Sequence, residues 1–452
     1  EDNAYHVVTF EQEKLMPAVL DGFTITGGRA TGDGRYGGAE NQFPNGGLYA
    51  TTTDPPEISE PRGKGGGIYM SYCHPILRNL IIDGNRAHES NYAMCAKNFN
   101  NLKKNCGVTR PGEQYKRQSA SSRGQDGGGL YAEYSNPIMS DITVTNNWAR
   151  FHGGGLAFHA CPRVIIRDVK IYNNYSTRIS TQGDEYYGGG GLWTDSSNIY
   201  IDRFMIDGNQ AGYRGGGLCG IASNMYLSNG LITGNASSTC TKCGSFFGRV
   251  NGGEGGGGIH IMFLKNLSLN HVTIVSNTNG KADIDEGGGA MQWTYGPPFN
   301  NSSRGVLSMN NCILYNNLSS GIMNYNGHYE KYGIHALGGY LGILYAKNND
   351  FILNNHLPDD GDPQFVNMKA PGVGGGDYHV AYDSPVRQMF VDDFNRPQYP
   401  AHFYDYDNNL RYAEIADSAS YGGYEWSQPS ERFTIQGRTG VNGEITRTTL
   451  SD

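Results

Sequence analysis

Gly127-Gly-Gly-Leu-Tyr-Ala-Glu-Tyr-Ser-Asn-Pro-Ile-Met-Ser-Asp-Ile-Thr-Val-Thr-Asn-Asn147 is the stretch that decides the fold. Three glycines open it, and a short alternating run follows. It turns at Ser-Asn-Pro, alternates again from Ile138 to Thr145, and ends on paired asparagines. Alternation over four or five residues predicts half-buried strands. The opening phrase recurs at Gly65–Tyr69, Gly153–Ala157, Gly189–Trp193, Gly215–Cys219, Gly256–His260 and Gly287–Met291, with degenerate copies at Gly46–Tyr49 and Gly338–Gly342. The second half recurs as Pro75 to Asn85 and Pro162 to Asn174, and later copies end at Asn209, Asn235, Asn277, Asn317 and Asn355. Starts lie about 26 to 62 residues apart, which is the range of repeat architectures.

Each repeat holds three short strands separated by Gly, Asn or Asp turns. No helical stretch is long enough for the crossover of an α/β sheet. The expected fold is therefore all-β, a parallel β-helix in which each repeat is one coil of a solenoid. Strands of successive coils would pair about 4.8 Å apart. Asn before a turn tolerates left-handed backbone angles and bonds locally, so stacked Asn would form an amide ladder at one corner. Gly is expected at the other corner, where φ > 0 and close backbone approach are needed.

Composition agrees. Of 452 residues 66 are Gly, without the three-residue period of collagen. Aromatics at 12 % and hydrophobics at 37 % are too many for a disordered chain. No apolar run approaches the roughly 18 residues of a membrane-spanning helix. The net charge is −8 and no Lys/Arg-rich run is present, which excludes nucleic acid as a partner. Eight Cys are too few for a disulfide scaffold. Cys95 and Cys106 bracket a polar loop, and the Cys240/Cys243 pair lacks a second pair for zinc, so a loop disulfide or free thiols are expected. Glu1 opens directly into strand-like Tyr5–Val8, as in a mature or trimmed product.

Residues 1–355 are expected to form the coils, with insertions at about 87–125, 237–254 and 292–304. The first insertion carries Lys103, Lys104, Arg110, Lys116, Arg117 and Arg123. Insertions in solenoids become loops that wall a groove. Residues 356–452 lose the Gly repeat and gain Pro, Asp and Tyr, as expected of a C-terminal capping segment over the last coils.

The Gly-Gly-Gly-Leu and Ile-x-x-Asn elements resemble right-handed β-helix proteins with chlamydial polymorphic-membrane-protein-like repeats, of the secreted bacterial, pectate-lyase-like kind. Asp362-Pro-Gln-Phe-Val, Asp377-Tyr-His-Val, Ser384-Pro-Val and Gly422-Gly-Tyr-Glu-Trp426 look like the tail of such proteins. The resemblance covers roughly Leu20 to Trp426. It implies a right-handed coil and an extracellular or bacterial cell-surface location. Adhesins, polysaccharide lyases and glycoside hydrolases all use this fold.

Candidate chemistry follows from aligning the repeats on the Gly triplet. The first residue after it (Ile68, Leu130, Leu156, Leu192, Leu218, Ile259, Ala290) should face inward, and the second and fourth outward. Glu133, His159 and Asp195 then share one outward column, with Trp293 at its far end and Tyr69, Tyr131 and Trp193 beside it. Two carboxylates about two strand spacings apart around a His suit acid–base cleavage of a sugar chain, with one carboxylate raised into the acid role. The aromatics suit sugar platforms. A second ladder precedes the triplets: Lys64, Asp126, His152, Tyr187 and Arg214, with Glu254 and Glu286 slightly shifted. There an Arg neutralising a uronate and a His or Tyr base would suit a lyase. The chemistry needs no cofactor. Ca²⁺ is the ion suited to Asp283, Asp285 and Glu286, or to Asp359, Asp360 and Asp362.

The expected function is that of a secreted or cell-surface protein binding an extended polysaccharide along one face, with cleavage by a hydrolase or lyase mechanism left open. The alternatives are a non-catalytic adhesin and a structural surface protein. A second surface protein is the expected partner at the open N-terminal end.

Overall fold

The computed structural model describes residues 5–11, 17–30, 63–87, 126–176, 188–237, 255–263, 265–279, 289–294, 306–310, 312–317, 334–337, 344–346, 351–352 and 363–380. Among these the chain is all-β, without a helix, and no helix is long and apolar enough to cross a membrane. Three parallel sheets account for nearly all the strands, and the chain visits them in a fixed rotation. The first sheet takes Val8–Glu11, Ile68–Ser71, Leu130–Glu133, Leu156–His159, Leu192–Asp195, Leu218–Ile221, Ile259–Met262, Met291–Thr294 and Ile334–Leu337. The second is built on the longer runs Ile76–Asp83, Ile138–Thr145, Val164–Tyr172, Asn198–Asp207, Asn224–Thr233 and Asn266–Val275. The third consists of two-residue strands from Arg86–Ala87 to Thr278–Asn279. Each sheet grows by one strand per repeat, which is the stacking expected of a parallel β-helix.

Register locks the apolar columns. Ile68, Leu130, Leu156, Leu192, Leu218 and Ile259 are mutual partners in the first sheet and are fully buried. Leu77, Met139, Ile166, Ile201, Leu227 and Leu269 form the facing column of the second sheet. Burying each such side chain contributes about 1.5–3 kcal/mol. A one-residue slip would turn a whole column outward. One slip does occur in the phrase at Gly287. Met291, not Ala290, pairs with Ile259, and Ala290 takes the place of the third glycine. Trp293 therefore partners Ile261 at the third position, not Met262 at the fourth.

The amide ladder is present and continuous over Asn85, Asn147, Asn174, Asn209, Asn235, Asn277 and Asn317. Asn209 shows the pattern. Its Nδ2 donates to Asn235 Oδ1 at 3.0 Å and back to the Ile171 carbonyl at 2.8 Å. Its Oδ1 accepts both the backbone N–H and the Nδ2 of Asn174, each at 3.0 Å. The residue before each ladder Asn holds positive φ, as at Asn146, Asn173, Gly208 and Gly234.

The glycines lie against this ladder, not at an opposite corner. A Cβ on Gly190 would come within 2.4 Å of the Gln210 carbonyl oxygen, and one on Gly191 within 3.0 Å of the Asn209 amide. The coil is too thin for side chains there, because the third sheet and the ladder close directly onto the triplets. The first glycine of each triplet has positive φ as well, as at Gly189. The turn after the first sheet carries a smaller ladder instead. Cys161 N–H donates to Ser197 Oγ at 2.9 Å and Ser197 N–H to Ser223 Oγ at 3.1 Å.

Residues 363–380 lie along the side of the stack. Phe365–Asn367 and Asp377–Val380 pair antiparallel, and Tyr378 is buried against Leu231 and Val275. Cys73, Cys161, Cys219 and Cys312 are buried thiols. Cys95, Cys106, Cys240 and Cys243 lie outside the described residues, as do the first two insertions nearly throughout, most of the third, and 381–452.

Replacing Asn209 by Ala strips the Asn174 backbone N–H and the Ile171 carbonyl of their side-chain partner in the interior and removes one bond of the Asn174 amide, which keeps its bonds to the Val144 and Tyr172 carbonyls. The expected loss is about 3 kcal/mol or more, at about 1–3 kcal/mol per stranded buried group. Denaturant unfolding followed by circular dichroism measures it. A loss below about 1 kcal/mol would show that the ladder is dispensable there.

Candidate functional site

The four-residue strands of the first sheet present the site. Register puts Ser71, Glu133, His159 and Asp195 on successive strands in one column. Each side chain of the last three is about one-fifth exposed. The column is therefore real, half open, and composed as the alternation predicts.

Its charges are matched internally. Glu133 accepts from Lys64 Nζ at 2.9 Å, Tyr69 Oη at 2.8 Å and Tyr131 Oη at 3.2 Å. Burial alone would raise its pKa, but the Lys64 ammonium and these donors outweigh burial and hold the carboxyl below the ordinary range. Asp195 accepts from His159 Nδ1 at 3.0 Å and Ser196 Oγ at 2.9 Å. Burial opposes ionisation there too, yet the His159 and Ser196 bonds and the His152 and His159 charges keep it low. Both carboxylates are thus ionised at neutral pH. The expectation that one would be raised to serve as a general acid is not met, because each has found a donor on a neighbouring strand.

The second-position side chains are not open platforms. Tyr69, Tyr131 and Trp193 are 4 %, 2 % and 5 % exposed and pack in one cluster with Ala157, Cys219 and Met262. The ladder that precedes the triplets folds over them. Lys64 Nζ sits 4.4 Å from the Tyr131 ring centre, and the His152 ring lies 4.4 Å from Trp193. Burial, with the Glu133 charge next, raises both phenols, so neither serves as a phenolate base. Burial also pushes the Cys219 thiol up to about 12.

Asp126 and His152 form a second His–Asp pair, Nδ1 to Oδ1 at 2.7 Å, with Asp126 5 % exposed at its side chain. Burial works against the charge of Asp126, but the charge and hydrogen bond of His152 prevail and lower its pKa. Arg214 is 2 % exposed and directs Nη1 at Met262 Sδ, 2.8 Å away, with its guanidinium 4.7 Å from the Tyr213 ring centre. A cation so enclosed does not meet a uronate. The ladder position between His152 and Arg214 is Gly188, since four glycines stand in that repeat. Tyr187, Glu254 and the acidic groups Asp283, Asp285, Glu286, Asp359, Asp360 and Asp362 lie outside the described residues, and so does the Trp293 side chain. Among the described residues no group of three or more His, Cys, Asp or Glu is placed to hold a metal ion.

Two aromatics missed by the alignment stand open beside the column. Tyr72 and Tyr134 are 57 % and 44 % exposed, their rings stacked with centres 4.8 Å apart, and the His159 ring stands nearly perpendicular to that of Tyr134 with centres 5.9 Å apart. Both have positive φ, at 52° and 49°, one residue past the fourth position. That left-handed turn swings the side chain out of the strand alternation. The signal was the Tyr that follows Ser71 and Glu133, set just before the Cys73 and Ser135 turn. Together the row offers carboxylate and imidazole hydrogen-bond partners along one edge and aromatic surface along the other.

Asp126, Glu133 and Asp195 have folded pKa values below their ordinary ones, so their contribution to stability is full above the unfolded carboxylate range and is lost as pH falls through the folded values. The part of the stability that these three supply should hold from pH 7 to about 5 and be lost below about 4. Glu133→Gln should lower stability at pH 7 by about 2 kcal/mol and shrink the fall in acid. Thermal melts across pH 3–7 check this, and an unchanged acid limb would remove Glu133 from the network. No protein-family model matches the chain, and no curated protein matches it.

Proposed function

We propose that the chain is a right-handed parallel β-helix of a secreted or bacterial cell-surface protein, and that it recognises an extended polysaccharide along the outer face of its first sheet. The observation that carries this reading is the exposed Tyr72–Tyr134 pair running beside the half-open row Ser71, Glu133, His159 and Asp195. Sugars need both features, an aromatic surface for their C–H faces and fixed charged acceptors for their hydroxyls. A row one strand apart per residue suits a linear chain lying along the stack. Binding without cleavage follows from the ionised state of both carboxylates and the enclosure of Arg214. The resemblance to polymorphic-membrane-protein-like repeats supports the adhesin class.

One observation favours cleavage as the second reading. Asp195 accepts from His159 Nδ1, which puts the lone pair of the neutral imidazole on Nε2 and orients the ring as a base.

A polysaccharide-binding screen, run with assays for new reducing ends and unsaturated products, separates the two. Saturable binding without product is expected, with affinity reduced about tenfold or more, near 1.4 kcal/mol, in the Tyr72→Ala/Tyr134→Ala double variant. Product release abolished by His159→Ala, with binding retained, would establish the enzyme instead.

A further inference from the structure

We propose that residues 363–380 form a proton-gated strap, docked on the flank of the second sheet while Asp207 carries a proton and loosened when Asp207 ionises. The strap runs where the corner has lost its side chains. Gly208 and Gly234 occupy the position that carries Asn173 in the repeat before them and Ser276 in the repeat after, and the Cα of Gly374 packs on both. A Cβ on Gly234 would come within 2.5 Å of the Val373 carbonyl oxygen. Three backbone bonds fasten it: Gly372 N–H to the Ser276 carbonyl at 2.7 Å, Ser276 Oγ to the Lys369 carbonyl at 2.7 Å, and Gly375 N–H to Asp207 Oδ2 at 2.8 Å. Tyr378, 1 % exposed, anchors the far end on Leu231 and Val275.

Docking encloses a carboxyl group with too few partners. Asp207 is 8 % exposed, and its Oδ1 is buried with no hydrogen-bond partner among the described residues. Among the described residues the groups around it offer no compensating charge. On the adjoining strands its register partners are Tyr172 and Thr233. From the strap it meets Gly374 and Gly375. The charged residues of the strap are engaged elsewhere, Lys369 with Asn367, and Asp377 with His379. Burial therefore raises the Asp207 pKa from 3.8 to about 6, against a small opposing effect of the Gly375 bond. A group raised in the docked state stabilises docking fully below its free value and ceases to as pH passes its docked value. The shift corresponds to a change in the docking equilibrium on the order of a hundredfold.

Hydrogen exchange on the full chain, corrected for the intrinsic pH dependence of exchange, tests this in the peptide covering 370–380. Protection should be high near pH 4, fall as pH rises from about 4 to about 6, level off above that, and stay level throughout in Asp207→Asn and Asp207→Ser. Peptides over the Asn ladder should show no such fall. A flat wild-type profile overturns the proposal, as does an equal fall in either neutral variant. Should both variants fail to fold, the wild-type profile decides alone.

Discussion

The amide ladder is the constraint on which the remaining structure depends. Each ladder Asn side chain from Asn85 to Asn277 satisfies backbone groups of the repeat before it and bonds the amide of the ladder Asn after it, and it can do so only if it sits at one fixed place in every coil. That place is against the glycine triplets, where the section is thinnest. Asn209 amide and Gly191 Cα are close enough that no side chain fits between them. Asparagine and glycine are thus two halves of one contact. The asparagine supplies the bonds that hold coils in register, and the glycine supplies the space. Because the ladder sets register, it also sets which residues become neighbours on the outside of the first sheet.

Neighbourhood then decides chemistry more than residue identity does. Glu133 and Asp195 look alike as a carboxylate pair in a column, but each lies beside a donor that the repeat also placed there, Lys64 for one and His159 for the other. In water such pairs would be weak. Half-buried and joined to Tyr69, Tyr131 and Ser196, they hold both carboxyls ionised and give the face fixed acceptors with no proton to give. Geometry of this kind suits recognition of hydroxyl groups. The same logic encloses Arg214, whose place in the ladder leaves it over Tyr213 and Met262.

The stacked parallel strands, the apolar columns and the His159 column were legible because period-two alternation and the Gly phrase share a phase. What was not legible came from places where that phase breaks or where long side chains bend. The fourth glycine before Leu192 moved the ladder position from Tyr187 to Gly188. Ala290 standing for a glycine shifted Trp293 by one place. Tyr131 and Trp193 do alternate outward, but alternation gives a direction and not an exposure, and Lys64 and His152 cover them. Tyr72 and Tyr134 were hidden because a left-handed residue interrupts the strand period at each turn. The Asn corner was assigned its ladder correctly, yet the glycines were placed opposite, since a one-dimensional repeat does not say which turns face each other across the coil.

The outer surface accordingly carries two kinds of irregularity, and both sit where the ladder leaves freedom. Left-handed turns at the end of the first sheet accept Tyr, Ala, Ser or Phe, so that corner varies from coil to coil without disturbing Asn or Gly. The position before the ladder Asn varies among Asn, Gly and Ser, and two consecutive glycines there make the track that Gly374 occupies. One corner displays side chains and the other removes them. The recognition proposed at the first and the docking at the second are therefore separable: a change at Tyr134 alters the display face, a change at Gly234 alters the strap, and neither touches the bonds that fix the register between them.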